Sequence, residues 1–224
     1  MDKNTYGKFY HSFFDKIIVK KRIEILSIIK NRVDLKNINS CLDVGTSTDK
    51  DKKSTNILIE NLKEIQILKS ISDQEINLPY FSSCLKKSIV SDFTNDEIAK
   101  MSCDLVISSA TIEHVGNEKN QLKMINNIIK LSKKYFVVTT PNRFYPIEFH
   151  TKLPLIHWLP KSMYRILLKT IGLKFFSKEE NLNLFSKGDL RKIMSNFNEL
   201  VDYKIENINL FNFASNFIVI GKIK

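Results

Sequence analysis

Two short stretches of the chain set an acid beside an imidazole. Glu113 and His114 follow the apolar run CDLVISSA, and Glu148 and His150 stand two apart in NRFYPIEFHTKLPLIHWLPK, which also holds His157. An imidazole titrates near neutral pH, so His114 or His150 can take a proton from a hydroxyl or amine during a group transfer. Each also has a purely structural reading, His114 in shaping its loop and His150 in packing its segment. A metal site needs more ligands than Glu148 and His150, and no third stands at helical spacing, so no metal is expected. A third stretch, SCLDVGTSTDK, ends an apolar run in Asp43 and Gly45 and continues with the hydroxyls of Thr46, Ser47 and Thr48. Gly45 lets backbone approach a ligand without a Cβ in the way and accepts a positive φ, which is what a nucleotide-binding turn asks of its first glycine.

These residues need a scaffold, and the pattern around them supplies one. DKIIVKKRIEILSIIKN (15–31) carries Ile17, Ile18, Ile23, Ile25, Leu26 and Ile29 at mostly helical spacing and predicts an amphipathic helix. SCLDV reads as a first strand, KSTNILIENLK as a helix capped by Ser54 or Thr55, and EIQILKSI as a second strand. KSIVSDF is the expected third strand, CDLVISSA the fourth, NQLKMINNIIKLSKK a helix and YFVVTTPN the fifth. Strands alternating with helices imply an α/β fold, a Rossmann-like doubly wound sheet, mostly parallel, with helices on both faces. The end departs from that rhythm. LVDYKIENINLF and NFIVIGKIK, joined through NFAS, read as a C-terminal antiparallel hairpin closing the sheet. A ligand then belongs at the carboxyl ends of the strands, where the sheet order reverses.

Composition narrows the functional classes. The chain has 224 residues, 43% of them hydrophobic, enough for one well-buried domain. Its net charge of +11 is spread along the whole length without a block long enough to call an arm, which argues against a nucleic-acid partner. Cys41, Cys84 and Cys103 are odd in number and lack C-x-x-C spacing, which argues for a reducing, cytoplasmic compartment. The first residues, MDKNTYGKFYHSFF, do not read as a signal peptide, and no apolar run reaches the ~18 residues of a membrane span.

In their order, CLDVGTSTD, SIVSDF, CDLVISSATIEHVGN, YFVVTTPNRFYPIEFH and the closing hairpin resemble the class I S-adenosylmethionine-dependent methyltransferases over residues 37 to 224. They are most similar to a small bacterial branch in which Asp-Val-Gly-Thr forms the first motif and Thr-Thr-Pro-Asn-Arg leads into Pro-x-Glu-Phe-His. The resemblance implies S-adenosyl-L-methionine as cofactor, whose lack of a pyrophosphate suits a turn with one glycine. It places Asp43 at the methionine end, an acid at the end of the second strand at the ribose, and Asp92 with Phe93 at the adenine; beside it, Gly45 frees the backbone and Thr46, Ser47, Thr48 and Ser54 can supply hydroxyls to the cofactor. Asp73 is the nearest candidate for the ribose, with Ser72 or Glu75 if the strand ends elsewhere. Ser109 and Ala110, with Ser108, are the small residues passing beneath the methionine, and His114 and His150 are the catalytic candidates.

The resemblance divides the chain into an N-terminal helical extension (1–36), a cofactor-binding core (37–143), a lid or substrate insertion (144–185) and a final helix with hairpin (186–224). Enzymes that methylate base amino groups often carry Asn/Asp-Pro-Pro-aromatic after the fourth strand; SSATIEH stands here instead, so base methylation is disfavoured. The expected reaction is methylation of an oxygen, or less readily a nitrogen, on a small-molecule, glycan or lipid-linked acceptor. The basic aromatic stretch 153–178 suits peripheral membrane contact, a packed lid or a dimer contact equally well. Two competing classes remain, a methyltransferase-like binding module without catalysis and a basic RNA- or membrane-binding protein. Neither the oligomeric state nor the acceptor follows from the residues.

Overall fold

Residues 11–48, 56–62 and 64–224 are described by a computed structural model, the first five by their backbone alone. Seven strands, β1 (Ser40–Val44), β2 (Ile67–Ser72), β3 (Ser83–Lys86), β4 (Cys103–Ser109), β5 (Ser132–Pro141), β6 (Val201–Leu210) and β7 (Phe213–Ile223), form one sheet in the order β3-β2-β1-β4-β5-β7-β6. The first five run parallel, β7 pairs antiparallel with β5, and β6 with β7. The expected fold class is therefore present, hairpin included.

Alternation along each strand sends side chains to two separate cores. Leu42, Val44, Val106, Phe136 and Val138 pack on one face with Met124, Ile125 and Ile128 of α4 (Glu118–Leu131) and Leu190, Ile193 and Met194 of α6 (Lys187–Met194). Cys41, Leu105, Ile107 and Val137 face the other way, onto Ile25, Leu26 and Ile29 of α1 (His11–Arg32) and Leu58 and Ile59 of α2 (Ile57–Glu60). Covering both faces explains why β1 is buried at all five positions. Because β2 and β3 lie on one side of β1 and β4 on the other, the order reverses between β1 and β4, the place where open α/β sheets take their ligands.

Several boundaries move. The third strand is SCLK, four residues upstream of the expected start, and KSIVSDF is loop leading to α3 (Asn95–Met101). β3 is the sheet edge with every second residue exposed, so it lacks the apolar run that marks a buried strand; that run, Ile89 and Val90, packs on the core from a loop. The helix expected over KSTNILIENLK is seen as a single turn at Ile57–Glu60, with Asn56 at its N-cap; Ser54 and Thr55 lie outside the described residues. α4 stops at Leu131, and SKK begins β5 instead of ending the helix. The hairpin turns at Phe211 and Asn212, with φ of 51° and 64°, rather than across NFAS.

Between β5 and α6 the chain makes its long excursion. It contains a short 3-10 turn, Ile156–Trp158, and α5 (Lys161–Thr170), and builds a small core of Tyr164, Leu168, Phe176, Leu182 and Leu184. Its return, through Asn181 to Phe185, is stitched to the loops after β4 and β5: Asn183 N donates to Glu113 O at 2.7 Å, Asn183 Nδ2 to Gly116 O at 2.8 Å, and Arg143 N, just after β5, to Phe185 O at 2.7 Å. The insertion is thereby held over the carboxyl end of β4.

Candidate active site

At the end of β1 the chain turns on Gly45, with φ of 87°, and its N–H donates to Ile71 O at 2.9 Å. A Cβ there would collide with the Thr111 side chain, so glycine is required both by conformation and by the close approach of the β4 loop. Asp43, just before the turn, is 8% exposed, and Thr46 Oγ1 donates to its Oδ2 at 2.7 Å. Burial raises its pKa to about 6, against the opposing pull of the Thr46 hydroxyl and of Arg22. A buried carboxylate held ready to ionise suits a cationic ligand, which would favour the charged form.

Arg22 was not legible as a site residue. It stands on α1 four residues after Ile18 and seven before Ile29, inside the stripe that faces the sheet, and a guanidinium within an apolar stripe is the signal that marks it. Burial lowers its pKa, and the nearby charges of Asp43 and Glu113 work against that lowering.

The β4 turn closes against the β1 turn. Ser108 Oγ donates to Val44 O at 3.0 Å, Ser109 Oγ and Thr139 Oγ1 are 3.2 Å apart, and Ala110 N donates to Thr139 O at 3.0 Å. Ala110 holds a φ of 53°, a left-handed conformation that costs a non-glycine residue about 1–2 kcal/mol. Asp43, Gly45, Thr46, Ser109 and Ala110 are thus gathered at the switch point. Asp73 follows directly on Ser72, the last residue of β2, and is exposed there; Ser72 Oγ donates to Thr46 O at 2.8 Å and ties the β2 end to the β1 turn. Asp92 and Phe93 sit on the loop after β3. Asp92 turns out to solvent and pairs with Lys123 of α4 at 2.7 Å, while Phe93 packs inward with the Lys87 ammonium 4.9 Å from its ring. Their contacts run to α4 and the core rather than to the β1 turn. Ser54 lies outside the described residues.

The insertion brings the acids and imidazoles together. Glu113 is fully buried; its Oε2 accepts from Thr140 Oγ1 at 2.9 Å, and its Oε1 has no hydrogen-bond partner. His114 Nε2 is 4.0 Å from that Oε1, while its Nδ1 faces Asn181 O at 2.6 Å. A carbonyl only accepts, so Nδ1 carries the proton and Nε2 keeps its lone pair. The His150 ring meets the His114 ring edge-on with centroids 4.8 Å apart, and its Nδ1 lies 2.6 Å from Glu148 Oε1. Glu148 is buried and also accepts from the backbone N–H groups of His150 and Thr151. Burial works against its charge, but His150 and these donors outweigh it and hold its pKa at about 2. Burial lowers the His114 pKa, and the neighbouring His150 lowers it further; for His150 burial acts downward too, and the Glu148 carboxylate overrides it and raises the value. His157 is a packed histidine, its Nε2 2.7 Å from Tyr145 O.

The sequence showed no third ligand beside Glu148 and His150, yet Glu113, His114 and His150 each offer a ligand atom within 4.8 Å of the others. No local spacing joins residues 114 and 150; only the fold of the insertion does.

No protein-family model and no curated protein sequence matches the chain. Solved structures do. Magnesium protoporphyrin IX methyltransferase (ChlM) from Synechocystis PCC 6803, with S-adenosylmethionine bound, superposes with a TM-score of 0.56 at 10% identity over 98% of this chain and 88% of that one. The N-methyltransferase NodS from Bradyrhizobium japonicum WM9 gives 0.52 at 10% identity over 91% and 97%. An O-methyltransferase family protein from Burkholderia thailandensis gives 0.55 at 9% identity over 94% and 58%.

Proposed function

We propose that this chain, which has the fold of the class I S-adenosylmethionine-dependent methyltransferases, transfers a methyl group from S-adenosyl-L-methionine to an oxygen of a small-molecule, glycan or lipid-linked acceptor. The observation that carries the reading is the pairing, at one switch point, of a buried carboxylate poised to ionise, Asp43, with a cluster able to manage a proton, Glu113, His114 and His150. The residues fit the cofactor chemically. Asp43 is oriented by Thr46, Gly45 makes the turn at a positive φ, and Ser109 and Ala110 are small.

Bound there, S-adenosylmethionine would supply an activated methyl, whose transfer to the acceptor oxygen would release the sulfur as a neutral thioether. The protein need only bind, align and exclude water while the acceptor loses its proton. Asp43 balances the positive end of the cofactor. His114 and His150 receive the acceptor at the covered end of β4, with His114 neutral and its Nε2 lone pair free to accept a hydrogen bond.

The preference for oxygen rests on this cluster, because a hydroxyl must lose its proton as it attacks, whereas an amine can lose it afterwards. The lipid-linked alternative among the acceptors draws support from the outer face of the insertion, where Leu155, Trp158, Met163, Ile166 and Ile171 are each 45% exposed or more. Lys161, Arg165 and Lys169 share that face's helix. An apolar set flanked by cations is what an anionic lipid surface recognises. Turnover with tritiated methyl donor against a panel of hydroxylated glycans and lipid-linked sugars tests the reading. Labelled ether product supports it. Cofactor binding without turnover across the panel would favour a binding module, and absent cofactor binding would favour a basic docking protein.

A further inference from the structure

We propose that Glu113, His114 and His150 form a binding site for one divalent transition-metal ion. The argument starts from an unsatisfied atom. Glu113 is wholly buried, and its Oε1 has no hydrogen-bond partner, a costly arrangement for a carboxylate oxygen. Around it stand two imidazoles whose other nitrogens are already committed. Nδ1 of His114 donates to the Asn181 carbonyl and Nδ1 of His150 to the Glu148 carboxylate, each at 2.6 Å, which leaves Nε2 of each as the coordinating atom. An imidazole anchored through Nδ1 to a carboxylate or a carbonyl is the outer-shell arrangement that fixes metal-ligating histidines.

One ligand atom from each of the three residues lies within 4.8 Å of the others. Bonds of about 2.0–2.2 Å to a common ion bring such atoms to roughly 3–3.4 Å, so the widest separation closes by roughly 1.4–1.8 Å on loading, within reach of side-chain rotation. His150 belongs to the insertion, whose strap at Asn181 to Phe185 already fastens it to the Glu113 loop, so closure needs no movement of the sheet.

Two nitrogens and one carboxylate oxygen favour Zn2+, Mn2+ or Fe2+ over Mg2+ or Ca2+. Three protein ligands leave at least one position for an exogenous oxygen. The place of the acceptor rests on the function proposed above: a hydroxyl bound at that position would lose its proton to solvent below its ordinary pKa, and with the ion in place His114 Nε2 coordinates it instead of accepting the acceptor's hydrogen bond directly. Ion binding itself needs no methyl transfer and is measured without it.

The test is calorimetric titration of the chelator-stripped full chain with Mn2+, and with Zn2+ in a Cys84→Ser background, because the Cys84 thiol is exposed. One ion per chain is expected. Glu113→Gln and His150→Gln should each weaken binding more than tenfold, and Glu148→Gln, which acts through His150, roughly ten- to hundredfold. Should a substituted chain fail to fold, the electron spin-echo spectrum of Mn2+ on the unsubstituted chain must still show nitrogen couplings from imidazole. Absence of saturable binding, binding unchanged in folded variants, or a spectrum without nitrogen couplings would each overturn the site. S-adenosylmethionine binding without metal binding removes only the ion; the reverse removes only the methyltransferase reading.

Discussion

Asp43 ties pH to both stability and ligand binding, in opposite senses. Its pKa rises from 3.8 to about 6 on burial, so the folded, ligand-free protein prefers the carboxyl protonated. That contribution is complete below the unfolded value and is lost as pH rises through about 6, a change of about 3 kcal/mol from this group. Asp43→Asn should therefore raise the melting temperature of the ligand-free protein at pH 8 and leave it nearly unchanged at pH 4, as thermal melts at the two values would show. The same substitution should weaken S-adenosylmethionine binding. In the unsubstituted protein, that affinity should be flat above pH 7 and fall roughly tenfold per unit below about 6, because the cation binds the ionised form. Gly45 is a poorer probe of binding. Any side chain there meets Thr111 at a positive φ, so Gly45→Val should lower stability itself. Asp43 and Gly45 were legible because they end a strand and open a turn within five residues. The meeting of Glu113, His114 and His150 was not, since the insertion, and no sequence period, sets it.

At the scale of elements, the closing hairpin and the insertion make separate claims. Phe211 occupies the first position of a two-residue turn at φ of 51° and is 72% exposed, so a bulky residue holds a conformation suited to Asn or Gly. Phe211→Asn should stabilise the protein by about 0.5–1 kcal/mol, read from a shift in denaturant midpoint. Gly221 of β7 faces Phe136 of β5, and a Cβ there would strike its fully buried ring. Gly221→Ala should destabilise by about 1–3 kcal/mol in the same measurement. Trp158, the single tryptophan, is 45% exposed on the insertion, so its fluorescence reports docking directly. Vesicles rich in anionic lipid should shift its emission to the blue, and neutral vesicles should do so much less. An unchanged spectrum with both would leave soluble acceptors. The hairpin could be read from its two alternating runs, but β3 could not: an edge strand with every second residue in water carries little apolar signal, and the stronger run beside it packs as loop.

Across the whole molecule, the α/β alternation gave the sheet its helices on both faces, and the departure from alternation gave its antiparallel end. Those features follow from periodicity, which survives low similarity; solved structures of similar fold share only 9–13% of residues with this chain. The insertion's own core of Tyr164, Leu168 and Phe176 was not foreseen, because prolines and aromatics spaced without period can fold onto themselves or onto a neighbour. Among the described residues no helix is long and apolar enough to cross a membrane. All of this depends on the switch point holding an adenosyl sulfonium. Calorimetric titration of the purified chain with S-adenosylmethionine, S-adenosylhomocysteine and NAD tests that claim most directly. Saturable binding of the first two, weakened in Asp43→Ala, with none of NAD, is the predicted result; no binding of either methionine derivative, or equal binding of NAD, would contradict it.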